Sequence, residues 1–118
     1  MLTPENRVKN KVRDYLKSIG AYCFSPVQMG YGSRTLDLLT AIPVIVHSEV
    51  GELRTAIFLA IEVKRKGGKL TPFQNKIIRD IQDLGAHAIW GDDAAVIIRQ
   101  IESLRAHFNG RLVLRLPK

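Results

Sequence analysis

Residues 56–66, with the sequence AIFLAIEVKRK, form an apolar run that ends in charged side chains. In a β-strand, alternate residues share a face. One face then carries an unbroken apolar row, which consists of Ile57, Leu59, Ile61 and Val63. The other face carries Phe58 and Ala60, followed by Glu62 and Lys64. The pattern predicts a core strand whose carboxyl end presents ionisable groups on one side, and ligands usually bind at that end of an open α/β sheet.

The size and charge of the chain limit the classes of protein to which it can belong. Its 118 residues are enough for one compact domain, 1–118. Eighteen Lys and Arg residues against eleven Asp and Glu residues leave a net charge of +7, which favours polyanionic partners without identifying the polyanion. The single cysteine, Cys23, excludes an internal disulfide. With no signal peptide and no apolar run longer than residues 56–61, we expect a soluble protein of a reducing compartment with no membrane partner.

The first third of the chain predicts one helix and two strands. A Thr-Pro pair at residues 3–4 is typical of a helix start, and Gly20 is typical of a helix end. The apolar stripe of this helix consists of Val8, Val12, Leu16 and Ile19. Its solvent-facing side is expected to be basic and carries Arg7, Lys9, Lys11, Arg13 and Lys17. Strands are expected over residues 21–27 and 35–42, and Pro43 is expected to bend the second strand or to place it at an edge.

The remainder predicts a hairpin, two more helices and a further strand. Residues 48–52 are expected at the hairpin tip, and residues 54–66 in the returning strand. A capping box at residues 71–74 opens the second helix, whose expected buried stripe is Phe73, Ile77, Ile81 and Leu84. A strand at 86–90 precedes a third helix that buries Ile97, Ile101, Leu104 and Phe108, and residues 111–116 predict a last edge strand. These elements predict an α/β fold with a mixed central sheet flanked by helices.

Two carboxylates are candidates for shared chemistry. Leu36 and Leu38 take one face of their strand and leave Asp37 on the other, and the predicted hairpin brings this strand towards Glu62. Two carboxylates about 4 Å apart repel by roughly 4 kcal/mol at an effective dielectric constant near 20, so such a pair takes up a proton or holds a cation. Mg²⁺ suits oxygen ligands of this kind. Lys64 would add a positive charge next to a scissile phosphate, and the set matches metal-assisted phosphodiester hydrolysis.

A simpler interpretation of the same residues stays open at this point. A Glu-x-Lys tripeptide is short enough to occur by chance in a chain of this composition. Glu62 and Lys64 are also compatible with a solvated ladder of charges at a strand end. Asp37 is also compatible with a residue that ends a strand or caps a turn.

The order of these residues resembles the PD-(D/E)xK nuclease superfamily, and more closely its VRR-NUC branch. That branch has a Glu in its opening helix, a Gly-rich run before the Asp, a Glu-x-Lys motif, and a Gly-containing turn into a Pro-x-Gln helix start. The corresponding residues here are Glu5, residues 30–37 ending in Asp37, residues 62–64 and residues 67–74. The similarity runs from about residue 3 to residue 98. It implies a restriction-endonuclease-like αβββαβα core.

The resemblance also implies roles for the matching residues. Asp37 and Glu62 would bind Mg²⁺ or Mn²⁺ together with the backbone carbonyl of Val63. Lys64 would orient the attacking water and stabilise the negative charge that develops on the phosphate. It is not expected to act as a free base, because two neighbouring carboxylates favour its charged form. Leu36 stands where the family usually has Pro, which leaves the ligand Asp37 intact.

For the outlying residues, a structural role stays as open as a functional one. Gln74 would hold water or phosphate, but its part in a capping box with Thr71 is enough to account for it. Glu5 would reach the metal, or would only be an acid favoured by the positive end of the helix dipole. The residues expected to hold DNA phosphates, unless they are merely solvated, are Arg34, Lys66 and Lys69.

The remaining aromatic and imidazole side chains are expected to be structural. Trp90 is expected in the core rather than as a platform for nucleic-acid bases. The three histidines show no ligand or catalytic spacing, and these are His47, His87 and His107.

The residues and the resemblance together predict a small Mg²⁺- or Mn²⁺-dependent DNA endonuclease. One domain of this size carries one site, and cutting two strands calls for two, so we expect a homodimer with C2 symmetry. The resemblance to stand-alone VRR-NUC proteins and to archaeal junction resolvases implies a branched substrate such as a four-way junction, and the cytoplasm of a bacterium or of a phage-infected host cell. The alternatives are a non-catalytic basic module that binds DNA or RNA, and a restriction-type or single-strand nuclease on the same fold.

Overall fold

The computed structural model describes residues 2–26 and 35–109, which form three helices and four strands. In chain order they are α1 (Pro4–Ser18), β1 (Tyr22–Phe24), β2 (Leu38–Ser48), β3 (Gly51–Val63), α2 (Pro72–Asp83), β4 (His87–Gly91) and α3 (Ala94–Asn109). This is the predicted αβββαβα order. The sheet order is β1-β2-β3-β4, and only the β3–β4 pair is parallel, so the mixed α/β sheet is confirmed. The strand predicted at 111–116 lies outside the described residues.

A long hairpin of β2 and β3 forms the centre of the sheet. Ser48 pairs with Gly51, which leaves a two-residue turn where the hairpin tip was expected. The bend expected at Pro43 is wrong, because β2 continues through it and Pro43 pairs with Ala56. The alternative, an edge position, holds at this residue, because β1 pairs only with residues 39–41 among the described residues. The neighbouring Ile45 explains this: its N–H points away from β3 and donates to the Asn109 side chain, 2.9 Å away. Pro43 has the same orientation, so its missing N–H costs no bond to β3.

At the end of the sheet where the charged residues lie, β2 begins later and β3 ends earlier than expected. Asp37 was expected inside a strand but lies just before β2, whose first pair joins Leu38 to Ile61. Residues 64–66 were expected inside β3 but follow it. The Lys64 N–H still donates to the Gly91 carbonyl, at 2.8 Å, and the chain then turns away through Gly67, which has a φ of 81°.

Both faces of the sheet are covered. On one face, Leu59, Ile61 and Val63 of β3 are buried against residues of α1 and α3, namely Val12, Leu16, Ile97 and Ile101. On the other face, Ala60 and Ala88 pack with Leu36 and with Ile78 of α2. The alternation predicted for β3 therefore describes both of its faces. Among the described residues, no helix combines the length and the apolar character needed to cross a bilayer.

The buried stripe of α2 differs from the prediction. Phe73 and Leu84 are 47% and 85% exposed, while Ile78, which was not expected in the core, is buried. Ile78 shares a core cluster with Ala60 and Ala88 of the sheet, and neither Phe73 nor Leu84 belongs to that cluster. The inward face therefore runs through Ile77, Ile78 and Ile81.

Trp90 was expected in the core, and that prediction is wrong: 38% of the residue is exposed. It lies on β4, which has no strand on its outer side within the described residues. A residue on an edge strand has sheet neighbours on one side only, so a large ring there is covered less completely.

Replacing Ile101 by Ala is expected to lower the free energy of unfolding by about 3 kcal/mol, because it leaves a cavity at the centre of the larger core cluster. The control is Val96→Ala on the same helix, where the side chain is 40% exposed and the expected loss is below about 0.5 kcal/mol. Urea unfolding followed by circular dichroism measures both. Equal losses would contradict the position of α3.

Candidate active site

Three carboxylates from three separate segments of the chain meet at the carboxyl end of β3. Glu5 comes from the first turn of α1, Asp37 precedes β2, and Glu62 is the penultimate residue of β3. One carboxylate oxygen from each lies within 4.8 Å of the other two. Asp37 and Glu62 are thus brought together, and Glu5, whose position was left open by the sequence, joins them.

Reciprocal hydrogen bonds hold Asp37 and Glu62 in place. The backbone N–H of Asp37 donates to Oε1 of Glu62 at 3.1 Å, and the backbone N–H of Val63 donates to Oδ2 of Asp37 at 2.9 Å. Each carboxylate therefore accepts a bond from the chain segment that carries the other. Glu62 is only 3% exposed, so its orientation is fixed by these bonds and by packing rather than by solvent. Val63 contributes its N–H to the cluster, and a metal bond from its carbonyl stays a prediction.

Two lysines border the carboxylates. Nζ of Lys64 lies 3.4 Å from Oε2 of Glu62, and Nζ of Lys9 lies 3.5 Å from Oδ1 of Asp37. Sequence reasoning missed Lys9 and placed it on the solvent-facing side of α1, although its side chain is only 20% exposed. Its spacing of four residues from Glu5, which puts both on one helix face, was the signal that could have identified it.

Gln74 combines the two roles that the sequence left open. Its Oε1 accepts from the Thr71 N–H at 2.9 Å and completes a capping box at the start of α2. Its Nε2 donates to Oε2 of Glu62 at 2.7 Å. One amide thus caps the start of α2 with its oxygen and binds the buried carboxylate with its nitrogen.

The cluster contains more acidic than basic groups, with three carboxylates against two lysines. Burial, followed by the charge of Asp37, raises the pKa of Glu62 to about 7, while Lys64 acts in the opposite direction. A buried acid with this pKa is only partly ionised near neutral pH. Three carboxylates with hard oxygen atoms, one of them resisting ionisation, suit a divalent cation that would replace the missing positive charge.

A basic groove lies between the starts of α1 and α3. It has a volume of about 470 Å³, and its cationic lining consists of Arg7, Lys11 and Lys66. Two acids of the lining are engaged with backbone groups: Asp92 accepts from the Gly67 N–H, and Asp93 caps α3 through the Ala95 N–H. Lys66, one of the predicted phosphate contacts, thus lies in a groove with two cations that were not predicted. Lys69 is exposed on the approach to α2, and Arg34 lies outside the described residues.

The fold and the cluster define an α/β domain with a buried acidic centre at the carboxyl end of a core strand. A solved structure described as a "VRR_NUC domain" is similar to this chain with a TM-score of 0.65 and 20% sequence identity, over 86% of this chain and 97% of that one. No protein-family model and no curated protein matches the sequence. The VRR-NUC resemblance is therefore confirmed at the level of the fold, which this chain shares with a VRR_NUC domain.

The pKa of Glu62 makes the stability of the metal-free protein dependent on pH. Because this pKa is raised from 4.5 to about 7, the folded state holds a proton that the unfolded state releases, and stability is lost as the pH rises through 7. From pH 5 to pH 8, wild type is expected to lose on the order of 2 kcal/mol of unfolding free energy relative to Glu62→Gln, which lacks the titrating group.

Urea unfolding in EDTA at both pH values measures this shift. The control is Glu102→Gln on the exposed side of α3, for which the difference from wild type should stay constant. A Glu62→Gln difference that is also independent of pH would show that the carboxylate ionises normally.

Proposed function

We propose that this domain, residues 1–118, is a metal-dependent DNA endonuclease that hydrolyses phosphodiester bonds with water. One observation carries the proposal: three carboxylates, with a lysine beside the most buried one, meet at the end of a core strand. The fold supports it, because VRR_NUC domains are nucleases and this chain shares their fold over most of its length. A purely DNA-binding module would have no use for buried acids, which repel phosphate.

The carboxylates are the proposed ligands of Mg²⁺ or Mn²⁺. Asp37 and Glu62 would bind the ion together with the carbonyl of Val63, and Glu5 is close enough to bind it directly or through water. The ion, when bound, would polarise a phosphate oxygen and acidify a water molecule. Oxygen ligands, closeness of the three acids and the raised pKa of Glu62 all fit such an ion.

The surrounding side chains have distinct tasks in this proposal. Lys64 holds a positive charge against the site and stabilises the negative charge that develops on the phosphate oxygens. Lys9 partly neutralises Asp37, which lowers the repulsion between this site and an approaching phosphate. Gln74 keeps Oε2 of Glu62 in a fixed orientation, and it acts as a positioning residue. Glu62 must be ionised to bind a cation, so the affinity of the metal-free protein for the cation is expected to weaken as the pH falls below 7.

Branched DNA, such as a four-way junction, is the proposed substrate, and a C2 homodimer is the proposed active form. Both rest on the resemblance to stand-alone VRR-NUC proteins and junction resolvases, and on the need for two sites to cut two strands. The proposed place of action is the cytoplasm of a bacterium or of a phage-infected host cell. The net charge of +7 and the basic groove of Arg7, Lys11 and Lys66 support a nucleic-acid partner.

Labelled four-way junction, duplex and single strand, incubated with the protein in Mg²⁺, Mn²⁺ or EDTA, test the catalytic proposal. We expect cleavage with either metal and none in EDTA. Glu62→Ala and Lys64→Ala are each expected to lower the cleavage rate at least about 100-fold, because they remove a ligand and the charge beside it. The control is Lys76→Ala, which removes an exposed lysine paired with Asp80 on α2 and should cleave like wild type.

Three outcomes of this experiment separate the alternatives. Paired cuts at the junction, together with a mass twice that of the chain in sedimentation, would support the resolvase-like dimer. Cleavage of duplex or single strand in preference to the junction would support the other nuclease types. Binding of DNA without cleavage in either metal would refute the enzyme and favour the basic module.

The groove gives a prediction about binding that does not depend on cleavage. In EDTA, Arg7→Ala/Lys11→Ala is expected to reduce the slope of log K against log salt for duplex DNA by about 2, since each phosphate contact contributes about 0.9. The control is Lys76→Ala/Arg79→Ala, which removes the same charge from the exposed side of α2. Equal reductions of the slope in both double variants would mean that DNA responds to the total charge of the protein and does not bind in this groove.

A further inference from the structure

Trp90 lies beside the carboxylate cluster on the neighbouring strand. In the parallel pairing of β3 and β4, Trp90 is the partner of Glu62. Paired residues in a parallel sheet point to the same face, and adjacent strands are about 4.8 Å apart. Ala60 and Ala88, each two residues earlier on its strand, pack in one cluster, which shows that the two strands present this face together. The indole is therefore on the same face as the most buried carboxylate of the site.

The indole is partly accessible to a ligand because β4 is the open edge of the sheet among the described residues. Trp90 is 38% exposed at the open edge of the sheet, and within the described residues it has no aromatic partner. The backbone carbonyl of Trp90 accepts a hydrogen bond from Nε2 of Gln100 at 3.2 Å. What distinguishes Trp90 from the other exposed aromatic residues is its pairing with Glu62, which places a large apolar ring next to the charged site.

We propose that Trp90 stacks against an unpaired base of the nucleic-acid substrate, next to the phosphate held at the carboxylates. This inference rests on the proposed function and deepens it, since it names the feature of the substrate that the site selects. The surface around the indole is suited to a polyanion because Lys64, which contacts Glu62, lies at the same end of the sheet. Aromatic side chains bind the flat face of any base, so the contact does not depend on sequence.

Stacking on Trp90 requires a base whose face is free. Inside a continuous duplex both faces of each base are covered by its neighbours, so the duplex would first have to lose stacking there. A single strand, a flap or the crossover of a branched molecule offers such a base without that cost. Trp90 would therefore favour cleavage beside unpaired nucleotides, which gives a physical origin for selectivity by structure rather than by sequence.

The chain contains one tryptophan, so its intrinsic fluorescence reports on this residue alone. In EDTA, where the proposed reaction cannot proceed, a dodecamer of thymidylate is expected to quench the emission and to protect the indole from acrylamide. A hairpin duplex of equal length is expected to do neither. Trp90→Ala should weaken binding of the single strand about tenfold and binding of the duplex less than twofold, in line with typical stacking contributions.

Two further variants separate stacking from a general loss of structure. Trp90→Phe keeps an aromatic face and should retain most of the affinity for the single strand. Tyr22→Ala removes an exposed ring from β1, at the opposite edge of the sheet, and should leave binding unchanged. Thermal melts show whether each variant is folded.

The proposal is overturned by equal quenching with duplex and single strand, or by equal losses of affinity for both in Trp90→Ala. Emission that changes with protein concentration alone would also overturn it, because Trp90 would then lie between two copies of the chain. Metal-dependent cleavage with unaltered substrate preference in Trp90→Ala would remove this inference and leave the nuclease standing. Selective quenching by the single strand without cleavage of any substrate would remove the nuclease and leave the stacking contact.

Discussion

The cross-bonded pair of Asp37 and Glu62 is the constraint on which the site depends. Each carboxylate accepts a backbone N–H from the segment that carries the other, so neither strand end can move without breaking a bond at both. These bonds take over where the backbone ladder stops, one residue beyond the Leu38–Ile61 pair. The same two bonds therefore fix the orientation of both acids, and they do so at the start of β2, where the register of the hairpin places the two segments side by side. Glu5, Lys9 and Gln74 then complete it from the two helices that start nearby.

This arrangement holds the carboxylates together although their charges repel one another. Glu62 is buried beside Asp37, which raises its pKa, and only part of the opposing charge comes from Lys64. Buried charge that is incompletely neutralised is expensive, and it persists where the surrounding packing fixes it. In this fold the packing comes from Ile78 of α2 against Ala60 and Ala88 of the sheet, and from the core on the opposite face. The stability of the scaffold thus holds the three carboxylates close together, although burial opposes the ionisation of Glu62.

Much of the fold followed from periodicity, since the alternation of β3 and the helical stripes of α1 and α3 predicted the layers on one face of the sheet. The errors arose where tertiary context outweighed local pattern. Pro43 sits in the strand because its N side faces away from β3, and Trp90 is exposed because β4 is an edge; neither fact is written in the local sequence. Lys9 was missed because its side chain turns towards an acid from a distant segment. The proximity of Asp37 and Glu62 could be predicted from the residues only because a hairpin was predicted between them.

The two-sided contact of Gln74 restricts which amino acid can occupy that position. A capping box accepts Glu as readily as Gln in its third residue, so helix formation alone would tolerate either. At this helix start, however, the far side of the amide faces Oε2 of Glu62 and supplies a donor to it. A glutamate there would close the same box and add a fourth anion to the cluster. Glu62, twelve positions earlier in the chain, therefore disfavours an exchange of Gln74 for Glu that the helix start alone would tolerate.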